Sequence, residues 1–303
     1  MFSLTFDDLI DLWKENQFLI PEEGLLFFGL RGCQPADMED GHNFQDSHYL
    51  MLADVNYRNP RCTLGQVNLD DRTFSIFSGS TVPNIKNIKK AQKRGGKGAN
   101  QLMTGYHENY KKGWHRSSSI YGHRAFRMDS PLPIRRSYDD LDYDELDRVE
   151  YMVPYDNLHA AWSMGSDSRY SSAGCQVVVG FPQCKHRNGE QNSGSWAVFY
   201  DNAYNANQEE FDYILLNGRD ALSASNKNPP TRLRYGSNGS LVKELQHKLN
   251  EKELYQGAID GKLGELTLYA LINFQKTEYG KSSADGILGP ITAKSLGITL
   301  NHS

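Results

Sequence analysis

The chain has 303 residues, with 33 Lys and Arg against 37 Asp and Glu and a formal net charge of −4. That balance provides no basic field for nucleic acid, and a mean hydropathy of −0.63 with 11% aromatic residues describes a folded polar chain rather than a disordered one. No stretch reaches the ~20 consecutive apolar residues of a membrane-crossing helix, and four cysteines, Cys33, Cys62, Cys175 and Cys184, are too few for a disulfide framework.

Residues 1–13 carry Asp7, Asp8 and Asp11 among apolar positions and read as an amphipathic helix, without the basic start of a secretory leader. Residues 24–32 form an apolar run expected to be a buried strand, and residues 48–82 alternate in strand fashion, most clearly over 72–77. The basic stretch 85–98 ends in glycines and reads as a solvated loop. Residues 106–127 are rich in His and Tyr; His107, His115 and His123 read as surface or packing groups, with His123 able to border a cleft. Residues 138–150 are densely acidic but lack the spacing of a calcium loop. Further on, 176–182 reads as a short apolar strand, 185–195 as a polar loop and 207–216 as a helix. Residues 221–231, with Ser, Asn, Lys and a Pro pair, have linker composition.

The C-terminal part repeats itself. Residues 260–271, DGKLGELTLYAL, return 25 residues later as 285–296, DGILGPITAKSL. In each, a D-G turn that glycine permits runs into a helix with apolar residues at three- and four-residue spacing. Upstream, residues 233–249 (LRYGSNGSLVKELQHKL) place Leu241, Leu245 and Leu249 on one helical face. These segments closely resemble the peptidoglycan-binding type 1 domain, a three-helix module, including the Leu245-Gln246 and Phe274-Gln275 pairs; Leu263 stands where the family usually has Phe. The resemblance implies a groove for stem peptide or glycan, no chemistry, and a structural role for the Asp-Gly turns.

Candidate chemistry lies upstream. His159, in NLHAAW, and Cys175, in SSAGCQVVV, are sixteen residues apart. A thiol with a pKa of about 8.5 is mostly protonated at neutral pH, and an adjacent imidazole can take its proton. The small-residue turn before Cys175 can aim backbone N–H groups at a developing oxyanion. The same region offers a zinc alternative: His159, Cys175, Cys184 and His186 make a Cys2His2 set, although Cys184 and His186 are closer together than ordinary ligand spacing.

The segment also resembles the L,D-transpeptidase signature, in which a His precedes an [S/T]-H-G-C turn. Ser172, Gly174, Cys175 and His159 match; Ala173 replaces the inner His, and Gln176 stands where an Arg often follows the Cys. The S-A-G-C-Q-V variant looks like a divergent branch associated with phage and interbacterial-toxin proteins. The resemblance implies Cys175 as nucleophile, His159 as base and backbone N–H groups around Gly174 and Cys175 as oxyanion hole, with Ser172 a further site residue of the same turn and no metal or cofactor. Substrate contacts are expected from Trp162 and Gln176, with Arg135 or Arg136 for a carboxylate.

The combined expectation is an α+β chain: a β-rich L,D-transpeptidase-like domain over 1–220, a linker over 221–231 and a three-helix peptidoglycan-binding domain over 232–303. The expected function is an L,D-transpeptidase or L,D-carboxypeptidase acting on stem peptides, as an antibacterial effector or phage-type wall enzyme. The alternatives are a non-catalytic wall-binding protein with a degenerate transpeptidase fold and a zinc-dependent peptidoglycan hydrolase. Expected partners are stem peptides and glycan, with an immunity protein or secretion-system carrier if the chain is a toxin; nucleic acid and a membrane span are not expected. The absence of a leader-like start leads to the expectation of a protein made in the bacterial cytoplasm that reaches the periplasm or cell wall by a specialised route.

Overall fold

A computed structural model describes residues 1–36, 40–94, 98–137, 143–144, 147–229, 231–280 and 283–300. The chain opens with strand β1 (Phe2–Thr5), which turns directly into helix α1 (Phe6–Glu15). Thr5 caps this helix: its hydroxyl accepts from Asp8 N at 3.1 Å, and the Asp8 carboxylate accepts from Thr5 N at 2.9 Å. The helix expected over residues 1–13 therefore starts later, because Phe2 and Leu4 are taken up in pairing with β4 (Ser47–Leu52), which also pairs with β3 (Cys33–Pro35).

Eight strands close a barrel in the order β12 (Leu158–Ala160), β13 (Gln176–Val178), β6 (Thr73–Ser80), β5 (Cys62–Asn68), β2 (Leu25–Arg31), β14 (Glu210–Asn217), β8 (Gly105–His115) and β9 (His123–Arg127). The pairs β2–β14 and β12–β13 are parallel; the others are antiparallel. Aromatic residues build the core. Phe27 stacks on Phe211 at 4.5 Å and meets Phe126 edge-on at 4.9 Å, while helix α3 (Ser195–Asn205) contributes Trp196 and Phe199. A smaller sheet of β11 (Arg148–Met152), β10 (Leu132–Ser137) and β7 (Ala99–Leu102) lies apart from the barrel's hydrogen-bonded circuit.

Two expectations about local structure change. Residues 207–216 are mostly strand β14, not helix. Phe211, Tyr213 and Leu215 enter the aromatic core, while Ile214 and Leu216 join a second core with Leu9, Leu12 and Trp13 of α1. A strand that is apolar on both faces loses the alternation that identifies a strand. The basic stretch 85–98 is not simply a loop: Ile85–Arg94 form helix α2, with Ile88 buried and Lys86, Lys89, Lys90 and Lys93 exposed. One buried anchor is too sparse to display a helical period. Most of the acidic stretch, residues 138–142, 145 and 146, lies outside the described residues.

The repeats form α5 (Ser240–Glu251), α6 (Glu265–Tyr279) and α7 (Pro290–Leu296). Each Asp-Gly turn is tied to the helix before it by a buried glutamine. Gln246 Nε2 donates to Asp260 Oδ1 at 2.8 Å and Thr267 Oγ1 at 3.1 Å, and its Oε1 accepts from Gly261 N at 2.9 Å. Gln275 repeats the pattern with Asp285, Thr292 and Gly286. Gly261 and Gly286 have φ of 80° and 76°, the left-handed conformation that glycine adopts without strain. Leu245 and Leu249 are buried as expected, but Val242 rather than Leu241 is the third fully buried apolar residue of α5.

The segment expected as a linker is partly helical. Gly218–Ser225 form α4, and Asp220 within it pairs with Arg232 at 2.7 Å and with Arg234 at 3.3 Å, the latter pair almost fully buried. Further ties join the module to the barrel side: Tyr106 N donates to Tyr235 O at 2.9 Å, Asn238 N to Gln17 O at 2.8 Å, and Met103 packs in the module's core. Among the described residues, no helix is long and apolar enough to cross a membrane.

Candidate active site

Parallel pairing of β12 with β13 sets Leu158 opposite Gln176 and His159 opposite Val177, so Cys175 lies just before β13 and beside the start of β12. From the other side, β9 meets β12 at Phe126–Leu158, and the β8–β9 pairing places His115 opposite His123. Three imidazoles converge there. His115 stacks on His159 with centroids 4.2 Å apart, and His123 meets His159 edge-on at 5.2 Å. A ring nitrogen of His115, a ring nitrogen of His159 and Cys175 Sγ all lie within 4.8 Å of one another. These groups line a cavity of about 340 Å³, together with Arg116, Tyr121, Trp162 and the Ser171–Ala173 segment.

The turn carrying Cys175 is held by its own polar atoms. Ser172 Oγ donates to Cys175 O at 2.7 Å and accepts from Gly174 N at 3.1 Å; Ser172 O accepts from Asn87 Nδ2 of α2 at 2.6 Å. Gly174 has φ 146°, and a Cβ there would stand 2.5 Å from both Asn100 Nδ2 and Asp156 Oδ1. Glycine is thus required by backbone conformation and by space. Since Gly174 N–H is committed to Ser172, these two residues here fix the turn; in this geometry that N–H is not free to meet an oxyanion.

Hydrogen bonding assigns the imidazole protons. A carbonyl can only accept, so His159 Nδ1–H donates to Ala160 O at 2.8 Å and Nε2 keeps a lone pair. His123 Nδ1–H likewise donates to Tyr121 O at 2.8 Å. His115 is the reverse. Asn157 Oδ1 accepts from Met128 N at 3.0 Å, which orients its amide so that Nδ2 donates to His115 Nδ1 at 3.0 Å. Neutral His115 therefore carries its proton on Nε2.

Burial keeps the cluster uncharged. Burial, then the neighbouring His115 and His123, hold His159 well below its ordinary value. Burial lowers His115 to about 3 and also lowers His123. The Cys175 thiol is pushed up by burial and then by Asp156. Asp156 itself is pushed up to about 8 by burial, against the opposing effects of Asn100 and Arg136. The resting pair is a neutral thiol beside neutral imidazoles.

Cys175, His159 and Trp162 are brought together at this cavity, and Ser172 and Gly174 shape it. Gln176, Arg135 and Arg136 do not line it. Gln176 is fully buried: its Nε2 donates to Gly174 O at 3.2 Å and its Oε1 accepts from Tyr213 OH at 3.1 Å. Arg135 donates to Asp144 O and to Ala284 O of the C-terminal module, both at 2.9 Å, and Arg136 pairs with Glu150 at 2.6 Å. Their guanidinium groups serve packing between elements, which corrects the expectation that they receive a substrate carboxylate. The zinc set changes as well: His115 joins His159 and Cys175, whereas Cys184 lines a neighbouring cavity of about 640 Å³ and His186 is exposed.

By sequence, His115 stands as a surface or packing group, Asn157 only as the first residue of the NLHAAW segment with no role of its own, and Asn87 and Arg116 are not singled out. The available signal was the pair His115 and His123, which becomes meaningful only once the hairpin register is known.

No curated protein and no solved structure matches the chain. Residues 238–296 match the family model of a peptidoglycan binding domain. The C-terminal module, with its glutamine-tied Asp-Gly turns, is a peptidoglycan-binding domain and associates this protein with the cell wall.

Proposed function

We propose that this protein is a cysteine enzyme of the L,D-transpeptidase or L,D-carboxypeptidase type that processes peptidoglycan stem peptides. The observation that carries the reading is the approach of Cys175 Sγ and the His115 and His159 nitrogens within 4.8 Å, at a cavity, on a chain with a peptidoglycan-binding module. His159 Nε2, left with its lone pair by the bond to Ala160 O, takes the thiol proton as sulfur attacks the stem-peptide carbonyl. A carbon–sulfur bond forms and the carbonyl becomes a tetrahedral oxyanion. His115 Nε2–H is a donor for the charge developing nearby. Collapse breaks the peptide bond, and the His159 imidazolium returns its proton to the departing amine. Water, or the amine of a D-amino acid or second stem, then releases the acyl group from Cys175. Because burial disfavours a standing ion pair, the proton moves during attack rather than before it. The site of action under this reading is the periplasm or cell wall, in the setting of an antibacterial effector or phage-type wall enzyme, with an immunity protein as partner in the former case.

A second reading draws on the same atoms: the His115, His159 and Cys175 group has the ligand types and spacing of a zinc site. The amide of Asn157 weighs against it, because a proton on His115 Nε2 leaves that nitrogen unable to ligate. The deciding experiment incubates purified sacculi with the full chain and identifies released or altered muropeptides by mass spectrometry. Wild type is expected to change them with or without a chelator, while Cys175→Ala does not change them and still sediments with sacculi. Full activity of Cys175→Ala would end the cysteine reading, and loss of wild-type activity on chelation would move the chemistry to the metal. Sacculi left unchanged by wild type would leave a wall-binding scaffold.

A further inference from the structure

We infer that Arg116 makes the Cys175 cavity a binding site for a carboxylate group that the substrate carries close to the bond being cut; this rests on the cysteine-enzyme reading above. Arg116 occupies the β8–β9 turn, with φ 52°. The turn is closed on itself: Ser119 N donates to Arg116 O at 2.9 Å and Gly122 N to Ser119 O at 2.8 Å. A Cβ on Gly122 would stand 2.5 Å from Arg116 O, so a glycine there is part of what sets the Arg116 backbone.

The rest of the cavity lining is uncharged. His115, His123 and His159 are kept neutral by burial, the remaining lining side chains are hydroxyl, amide, aromatic, methyl and thiol groups, and among the described residues no carboxylate lines the cavity. Asp156 is buried outside the cavity lining, its carboxyl hydrogen-bonded to Asn100. Among the described residues Arg116 forms no ion pair. Its charge is felt at Cys175 and at all three histidines. A permanently charged planar fork with five donors suits a carboxylate, which it can hold with two parallel bonds. Arg135 and Arg136 are engaged elsewhere and Gln176 is consumed inside the barrel, which leaves Arg116 as the cation at the thiol among the described residues. The Arg116 guanidinium in an otherwise uncharged set of described lining residues selects stems with a free carboxylate beside the reacting carbonyl over stems in which it is amidated.

The test uses the full chain and two alkylating agents of nearly equal size, anionic iodoacetate and neutral iodoacetamide. In both reactions the Cys175 thiolate displaces iodide from carbon, forming a C–S bond, and the thiol proton passes to solvent. Rates at Cys175 are read by peptide mass spectrometry, with Cys184, in the neighbouring cavity, as internal reference. The iodoacetate-to-iodoacetamide rate ratio at Cys175 is expected to fall on the order of tenfold in Arg116→Gln, to be partly kept in Arg116→Lys, and to shrink in wild type near 1 M salt. The ratio at Cys184 should stay unchanged. On soluble stems, Arg116→Gln should raise KM about tenfold for free-carboxylate substrate while kcat changes about twofold or less, and should lose the preference over amidated substrate. An unchanged ratio in Arg116→Gln, or a loss confined to kcat, overturns the carboxylate site. A shifted ratio with no processing of stems by wild type supports the site and sinks the stem-peptide reading. Processing by wild type and Arg116→Gln with equal KM does the reverse.

Discussion

The three-histidine cluster makes the fold sensitive to mild acid. His115 has its ordinary value of 6.5 in the unfolded chain and about 3 in the fold. The folded value is depressed, so the stability it contributes is present above about pH 6.5 and is lost as pH falls toward 3. Keeping one such imidazole neutral costs RT ln(1 + 10^(6.5 − pH)), which is about 0.1 kcal/mol at pH 7.5 and about 1.4 kcal/mol at pH 5.5. His123 and His159 are shifted in the same direction, by burial first, and add to the loss over that interval. Partial exposure reduces the share of His115 to on the order of 1 kcal/mol. The informative variant is His115→Asn, because its side-chain oxygen can replace Nδ1 as the acceptor for Asn157. Urea denaturation followed by circular dichroism at pH 7.5 and 5.5 should show that wild type loses about 1 kcal/mol more than the variant between the two conditions. Equal losses would refute the claim that His115 is held neutral in the fold.

Two further substitutions test the local geometry. Gly174→Ala forces a Cβ to within 2.5 Å of Asn100 and Asp156 at φ 146°, so it should lower stability by about 1–3 kcal/mol and change the Cys175 alkylation rate; unchanged thermal stability and rate would show that the turn relaxes freely. Gln246→Ala removes the acceptor of Gly261 N and the donor to Asp260 and Thr267, and should destabilise the C-terminal module by about 2–4 kcal/mol in chemical denaturation, which a loss under 0.5 kcal/mol would contradict.

Sequence alone determined what local chemistry encodes. The repeat at residues 260–271 and 285–296 carries its own turn glycines and helix pattern, the tying glutamines Gln246 and Gln275 stand ten to fifteen residues before the turns they hold, and the module could be read from these segments directly. The run around 24–32 was legible as a strand because its apolar block is short and bounded by glycine. His159 and Cys175 could be paired because the turn before Cys175 resembles a known signature with a preceding His, the sixteen-residue spacing alone being a weak signal, and adjacent strands β12 and β13 bring the two together. Tertiary structure decided the rest. His115 reaches the thiol through the β8–β9 register and an amide 42 residues away, and no short window contains that relation. β14 hid its identity because the barrel core buries one face and the α1 side the other. Arg135 and Arg136 carry the right charge for a carboxylate, but pairing in the β7–β10–β11 sheet and contact with the module claim them, while the hairpin turn leaves Arg116 at the cavity. Side-chain type is written locally; which side chains share a cavity depends on strand register, and a shift of one residue would send each to the opposite face.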